Sequence, residues 1–150
     1  MIEYYVYTDG ACSNNGKENA KAGIGIYFQE NDSRNVSKRI TGKQTNNRAE
    51  LLAIIVAYFI IERDIEKGQN VVIVTDSEYA IRCFTTYGEK CANKGWKKDI
   101  PNKELVQQGY EIFKNTPNLS LNHIRAHTGE TDVHSEGNAK ADALATRCID

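Results

Sequence analysis

Four acidic side chains, far apart in the sequence, each lie where a secondary-structure element is predicted to begin or end. They are Asp9, Glu50, Asp76 and Asp142. Asp9 and Asp76 each follow a run of β-branched and aromatic residues that is typical of a strand. A carboxylate at the end of a buried strand costs free energy unless a partner compensates it. The four acids therefore predict one shared site, for which a divalent metal ion is the natural partner.

The expected chemistry of such a site follows from its charge. Two unit charges about 4 Å apart repel by about 4 kcal/mol at an effective dielectric constant near 20. Clustered carboxylates therefore raise their own pKa values or bind cations. Ligands that are all oxygen atoms favour Mg²⁺ or Mn²⁺ over zinc, which prefers histidine and cysteine. Two such ions roughly 3.5–4 Å apart can activate water and stabilise the leaving oxygen in phosphodiester cleavage.

Each acid alone has a simpler interpretation, because an aspartate after a strand is commonly a helix cap or a turn residue. The recurrence of the flanking residue types argues against that interpretation for the set. The four acids lie in the segments T-D-G, N-N-R-A-E-L, T-D-S and G-N-x-x-A-D. Separately these segments are weak signals, and together they are specific.

The elements that must position the acids can be predicted from the periodicity of apolar residues. Strands are predicted over residues 2–8, 22–28, 35–41, 71–75 and 119–126, and helices over residues 46–67, 77–85, 102–115 and 137–148. The order βββαβααβα predicts an α/β domain, a mixed five-stranded sheet flanked by helices. If the first and fourth strands are parallel neighbours, Asp9 and Asp76 emerge at one sheet edge. Glu50 in the first helix and Asp142, early in the last helix, would then lean over that edge.

The amino-acid composition is that of one ordinary globular domain. A chain of 150 residues, 40% hydrophobic and 26% charged, favours a single domain over residues 1–150. The formal net charge of −1 argues against a generally basic nucleic-acid coat protein. Four cysteines without a C-x-x-C pair indicate free thiols in a reducing compartment. No targeting signal and no apolar run of about 18 residues is present, so we expect a cytoplasmic monomer without a membrane partner.

The motifs as a set resemble the type 1 ribonuclease H family, the cellular type. They are T-D-G-A-C from Thr8, T-N-N-R-A-E-L from Thr45, T-D-S from Thr75, Gly95-Trp96, and H-T-G from His127. The resemblance implies a ribonuclease H-like fold in which the four acids are catalytic ligands of two Mg²⁺ ions, with Mn²⁺ as a substitute. The implied reaction is endonucleolytic hydrolysis of the RNA strand of RNA–DNA hybrids, leaving 3′-hydroxyl and 5′-phosphate ends.

The resemblance also implies substrate contacts. Cys12, Asn15 and Asn46 would lie along the minor groove on the RNA side, and Asn47 near the DNA. Asparagine offers donors and acceptors that suit 2′-hydroxyls, although Asn15 in N-N-G is explained equally well as a turn residue. A phosphate pocket would contain Lys43, Thr45 and Asn102.

The basic protrusion of the family maps onto residues 87–98, where four lysines surround Trp96. A charge run is usually a solvated face, but local basicity in this net-acidic chain favours a nucleic-acid contact. Glu78 stands where many members place an amide facing the RNA. It would either weaken hybrid binding or turn away, and the sequence leaves both open.

The three histidines receive different interpretations. His127 matches the histidine of a mobile loop that aids proton transfer or product departure, and such a histidine titrates near neutral pH. His134 lies in a predicted loop, residues 130–136, that is longer than the common form, and it is a rival for that role. His123 is predicted to be a structural strand residue.

Other function classes share this fold. Integrases, resolvases and proofreading exonucleases do so, and a catalytically silent hybrid-binding module is a further alternative. The T-D-G-A-C and N-N-R-A-E-L segments favour the hybrid nuclease, and the intact set of acids argues against a silent module. No separate hybrid-binding domain is expected within residues 1–150.

Overall fold

The elements of the fold follow the predicted order with one addition. The computed structural model describes residues 1–126 and 132–150. The strands are β1 (Tyr4–Ser13), β2 (Lys21–Tyr27), β3 (Val36–Arg39), β4 (Val71–Thr75) and β5 (Leu119–His123). The helices are α1 (Asn46–Glu66), α2 (Glu78–Phe84), α3 (Thr86–Asn93), α4 (Lys103–Lys114) and α5 (Val133–Arg147). The predicted order is therefore wrong at one place, because α3 forms inside the lysine-rich segment where no helix was expected.

The five strands form one mixed sheet in the order β3-β2-β1-β4-β5. β1 pairs antiparallel with β2 and parallel with β4, and β4 pairs parallel with β5. The predicted parallel contact between the first and fourth strands is thus confirmed. The last pair of β1 with β4 is Thr8 with Thr75, so Asp9 and Asp76 follow at the same sheet edge.

Asp9 lies inside β1 and not at its end, which corrects the predicted boundary. β1 continues past Asp9 along β2 as far as the pair Ser13–Lys21. The partner strand supplies the backbone hydrogen bonds for this polar stretch, and sequence periodicity does not reveal them. Asp9 is therefore held by a strand on one side and faces the end of β4 on the other.

Helices cover both faces of the sheet, with α1 on one face and α5 on the other. Because side chains alternate along a strand, Val6 faces the larger core with Leu51 and Ile54 of α1. Tyr7 faces the second cluster, with Val74 of β4 and Ala141 of α5. All five residues of β4 are buried, as its continuous β-branched run predicts for a central strand.

The helix α5 lies unusually close to β2 because two glycines face it. A Cβ atom at Gly25 would overlap the carbonyl oxygen of Ala141 and lie 2.5 Å from the backbone nitrogen of Ala145. A Cβ atom at Gly23 would overlap the sulfur of Cys148. This close approach brings the middle of α5 beside Gly25, the residue that pairs with Asp9 on β1.

The beginning of α5 also differs from the prediction. Asp132 caps the helix and accepts a hydrogen bond from the Ser135 amide at 3.0 Å, so the helix begins at Val133 rather than at residue 137. His134 is therefore in the first helical turn and not in a long loop. Glu130 and Thr131 of that predicted loop lie outside the described residues, and Asp142 lies in the middle of the helix rather than in its early part.

Two expectations from composition concern cysteines and membranes. All four cysteines belong to the described part of the chain, and they are free thiols. Among residues 1–126 and 132–150, no helix has the length and apolar character needed to cross a bilayer.

Candidate active site

Three of the four predicted acids meet at one point. Asp9, Glu50 and Asp76 each offer a carboxylate oxygen, and these oxygens lie within 4.8 Å of one another. Asp9 and Glu50 are only 4% and 7% exposed, and Asp76 is half-buried. Asp142 on α5 interacts with the Asp9 carboxyl from the opposite side of the site. Strand β1, the end of β4, helix α1 and helix α5 thus each deliver one acid.

Gly10 holds two of these acids in place, a role that the sequence motif did not reveal. Its backbone amide donates to Oδ1 of Asp9 at 2.9 Å and to Oε1 of Glu50 at 2.7 Å. A Cβ atom at this position would lie 2.5 Å from the Glu50 nitrogen, so only glycine lets α1 approach β1 this closely. A glycine inside a strand often marks a close backbone approach, and that was the available signal.

Electrostatics explain why this cluster suits a cation. Burial, followed by repulsion from Glu50 and Asp76, strongly raises the pKa of Asp9. Burial, followed by repulsion from Asp76, raises the pKa of Glu50, and hydrogen bonds with the Asp9 carboxyl and the Gly10 amide offset only part of this effect. The donor set consists of carboxylate oxygens, which fits a hard divalent ion such as Mg²⁺ or Mn²⁺. Asp9, Glu50 and Asp76 are the residues whose carboxylate oxygens could hold it together, and Asp142 interacts with the first of them.

Metal binding should stabilise the protein more strongly as the pH rises. In the metal-free protein, the contribution of the cluster to the free energy of unfolding is greatest below about pH 4 and decreases as the pH rises towards the raised folded-state pKa values. Saturating Mg²⁺ should add little at about pH 5, where the raised pKa values keep Asp9 and Glu50 protonated, and about 1–3 kcal/mol at about pH 8. Thermal unfolding at both pH values, with NaCl at matched ionic strength as the control, measures this. Equal stabilisation at the two pH values would contradict it.

A pocket of about 550 Å³ gathers most of the predicted substrate-binding residues beside α1. Its lining includes Asn15, Lys43, Thr45, Asn46, Asn47 and Asn102. Thr45 caps α1, and its hydroxyl accepts from the Arg48 amide at 3.2 Å. The amide of Asn46 donates to Oδ1 of Asn15 at 3.1 Å, which joins the β1–β2 loop to the helix.

The chemistry of this pocket fits an anion of phosphate size. The N-terminus of α1 carries a partial positive charge, although two of its backbone amides already donate within the protein, Asn46 to Asn15 and Arg48 to Thr45. Lys43 adds a full charge, and the asparagine side chains add further donors. Asn102 adopts a left-handed conformation with φ of 58°, and its side-chain Nδ2 donates to the Tyr79 hydroxyl at 3.2 Å, which fixes it at the start of α4. Glu50 lies one helical turn from Asn46, about 6 Å along the axis, so the pocket and the acids are neighbours.

Three other predicted substrate contacts are not part of this pocket. Cys12 is half-buried, and its thiol lies 3.7 Å from the carbonyl oxygen of Gln44. Glu78 forms an ion pair with Arg82 of the same helix at 2.9 Å, and His123 of β5 lies 4.0 Å from its other oxygen. Trp96, after α3, packs edge-on against Tyr110 of α4 at 6.1 Å between ring centroids. The Trp96 ring therefore fastens the lysine-rich segment to the core.

The histidine predictions have different outcomes. His127 lies outside the described residues, so its predicted role stays a prediction. His134 is part of an aromatic cluster: its Nδ1 lies 2.8 Å from the Tyr7 hydroxyl, and its ring packs edge-on against Tyr5 at 4.5 Å. These contacts attach the first turn of α5 to β1. His123 is a strand residue as predicted, but β5 ends at it, three residues before the predicted boundary, and its side chain is 39% exposed.

The fold and the carboxylate cluster together define a ribonuclease H-like α/β protein. The sequence profile of the RNase H family matches residues 2–150. The chain therefore belongs to the RNase H family.

Known proteins support this assignment along the whole chain. Ribonuclease H1 of Mus musculus is 36% identical over 144 residues, which cover 93% of this chain and 48% of the mouse protein. The chain thus corresponds to about half of the mouse protein. Ribonuclease H of Ruthia magnifica is 31% identical over 159 residues and covers 100% of this chain and 97% of its own length. The crystal structure of LC11-RNase H1 in complex with RNA/DNA hybrid superimposes with a TM-score of 0.61 at 26% identity, over 97% of this chain and 95% of that one.

Proposed function

We propose that this protein is an endonuclease that hydrolyses the RNA strand of RNA–DNA hybrids with two bound Mg²⁺ ions, for which Mn²⁺ can substitute. The observation that carries this proposal is the meeting of three carboxylate oxygens within 4.8 Å, beside a pocket that suits phosphate. Relatives named ribonuclease H and the LC11 enzyme in complex with an RNA/DNA hybrid support the choice of substrate.

Some residues of the site bind metal, and others bind the substrate. Asp9, Glu50, Asp76 and Asp142 would hold the divalent ions, which would supply Lewis-acid polarisation of the phosphoryl oxygens and lower the pKa of water. The Gly10 amide fixes the Asp9 and Glu50 carboxylates, so that little reorganisation is needed. Attack of water on phosphorus, with departure of the 3′-oxygen of the ribose, leaves a 3′-hydroxyl and a 5′-phosphate.

Discrimination between RNA and DNA requires contact with 2′-hydroxyl groups. Asn15 and Asn46 both line the pocket and are joined by a hydrogen bond, and their side chains offer donors and acceptors. Lys43, Thr45 and Asn102 bind phosphate without reading the sequence. Lys43, Thr45 and Asn102 hold the DNA backbone while Asn15 and Asn46 face the RNA, so a hybrid satisfies both sets of contacts.

Cleavage assays on four labelled nucleic acids test the proposal. The hybrid, single-stranded RNA, double-stranded RNA and double-stranded DNA are incubated with Mg²⁺, and the ends are identified by phosphatase and ligase treatment. We expect internal cuts in the RNA of the hybrid alone, and none in EDTA. A hybrid that stays intact would refute the proposed enzymatic activity. A hybrid that is bound but not cut would favour a catalytically silent binding module. Equal cutting of double-stranded DNA would favour an integrase-like or resolvase-like activity.

His134 is expected to support structure rather than proton transfer. His134→Phe keeps a ring against Tyr5 but loses the contact with the Tyr7 hydroxyl, so the free energy of unfolding should fall by about 1 kcal/mol. The rate of hybrid cleavage and its pH profile should stay within about twofold of the native values, because no reacting group is removed. Urea unfolding and initial rates measure the two effects.

The matched control is Tyr7→Phe, which removes the other partner of the same contact. It should cause a similar loss of stability and a similarly small change in rate. A selective loss of activity at high or low pH in His134→Phe alone would show that this histidine transfers a proton.

A further inference from the structure

The side chain of Gln44 replaces one backbone hydrogen bond between strands β2 and β3. In the β2–β3 ladder, Gly23 pairs with Arg39, so the next pair would be Ala22 with Ile40. The Ile40 amide does donate to the Ala22 carbonyl at 3.1 Å. The reciprocal bond is replaced: the Ala22 amide donates to Oε1 of Gln44 at 2.8 Å, and Nε2 of Gln44 donates to the Ile40 carbonyl at 2.9 Å.

The inserted amide uses its full hydrogen-bonding capacity. Nε2 of Gln44 also donates to the Gly42 carbonyl at 3.0 Å, and Oε1 also accepts from Nη2 of Arg39 at 3.3 Å. An amide has two donor hydrogens and an oxygen that accepts twice, so no capacity is left over. The partners fix which end is oxygen, because a backbone amide can only donate and a carbonyl can only accept. Such a saturated network holds one geometry.

This insertion opens the hairpin at the point where the chain must leave the sheet for α1. The segment between β3 and α1 then turns at Gly42, whose φ of +80° suits glycine. Arg48 ties the same turn to the helix by donating from Nη2 to the Thr41 carbonyl at 3.1 Å. Lys43 and Thr45, the neighbours of Gln44 in sequence, both line the phosphate pocket.

We infer that Gln44 is a positioning residue for substrate binding: its amide, inserted between β2 and β3, sets the place of Lys43 and Thr45 relative to the carboxylate cluster. Gln44 itself touches neither the acids nor the substrate in this assignment. It acts through the loop that it ties down. The inference rests on the proposed function, since it assigns a role within the binding of the hybrid backbone.

The test replaces Gln44 with methionine, which has a similar shape and no hydrogen bonds. Because a hydrogen bond to a charged group is worth about 1.5–3 kcal/mol, a displaced phosphate contact should raise KM for the hybrid at least about tenfold, while kcat changes less than about threefold. Gln108→Met is the matched control, because Gln108 is exposed on α4 and does not line the phosphate pocket. It should leave both constants unchanged.

A second readout identifies the phosphate itself. Hybrids that carry one neutral methylphosphonate at successive positions of the DNA strand should reveal a position where neutralisation raises KM of the native protein. Lys43→Ala and Gln44→Met should both lose this sensitivity, and Gln108→Met should keep it. A general loss of structure would instead lower kcat and thermal stability without removing the sensitivity at one position.

Each outcome decides between the claims. If the native protein does not cut the hybrid, the proposed function fails. If it cuts and Gln44→Met keeps the native KM and the native response to methylphosphonate, the positioning role is refuted. Should Gln44→Met not fold, Gln44→Glu serves in its place, because it keeps the acceptor for Ala22 and loses the donors to Ile40 and Gly42. Gln44→Glu should then show the same loss of sensitivity, and retention of it would refute the role.

Discussion

Asp9→Asn is expected to lower the rate of hybrid cleavage at least about a thousandfold in Mg²⁺, while the metal-free protein becomes more stable at neutral pH. Both effects have one cause. The buried Asp9 carboxylate is repelled by Glu50 and Asp76, and asparagine removes that charge while its Oδ1 can still accept from Gly10. The amide is a weaker ligand for a hard cation, so metal binding and turnover are lost.

Two measurements separate these effects from general damage. Initial rates on a labelled hybrid give the catalytic loss, and urea unfolding in EDTA at about pH 7.5 should show a gain in the free energy of unfolding of about 1 kcal/mol or more. Asp150→Asn makes the same chemical change at an exposed residue and should alter neither quantity. Near-normal rates for Asp9→Asn would refute the metal assignment. A loss of stability in EDTA would refute the electrostatic explanation.

The sequence predicts the sheet edge well because the signals there are local. The β-branched run before Asp76 marks a strand buried on both faces, and the structure buries all five residues of β4. Asp9 and Asp76 share their flanking pattern, and the parallel pairing of their strands puts both at one edge. The interior position of Asp9 was missed because the continuation of β1 depends on pairing with β2. A polar stretch that contains Gly10 and Asn14 looks like a turn until its partner strand is known.

Helix α3 was missed for a related reason. Its sequence contains Gly88 and several polar residues, which lower the intrinsic preference for helix. Tertiary packing stabilises this helix: Gly88 is buried, and a Cβ atom there would lie 2.8 Å from the Tyr110 ring. The helix exists because α4 offers a surface against which a glycine can pack closely. Helix propensity alone therefore does not predict α3.

In the candidate site, too, some residues could be predicted from the sequence and others could not. The four acids could be found from their flanking motifs, because these short segments are specific when they occur together. The groups that position them could not. The Gly10 amide reaches Glu50 across 40 positions of sequence, and the Gln44 amide reaches Ala22 across 22. Both depend on which strands and helices become neighbours, so they become visible only in the folded chain.

Gly25→Ala is expected to destabilise the protein by about 2–4 kcal/mol and to lower hybrid cleavage roughly a hundredfold. The new methyl group would overlap the Ala141 carbonyl and meet the Ala145 nitrogen, which are backbone atoms of α5 that no rotamer change can move. The whole helix must therefore shift away from β2. Asp142 follows Ala141 and interacts with Asp9, the β1 partner of Gly25, so the shift separates the two acids. Urea unfolding and initial rates measure both losses.

Gly23→Ala provides the comparison, because the group it meets is largely the movable sulfur of Cys148. It should cost less stability, and Gly23→Ala with Cys148→Ala should recover part of that loss, since the sulfur is gone. No side-chain truncation can relieve Gly25→Ala in this way, because its obstacle is main chain. Native stability in Gly25→Ala would show that α5 tolerates a wider separation from the sheet. A stable variant that also cleaved the hybrid at the native rate would show that the close approach of α5 is not what holds Asp142 against Asp9.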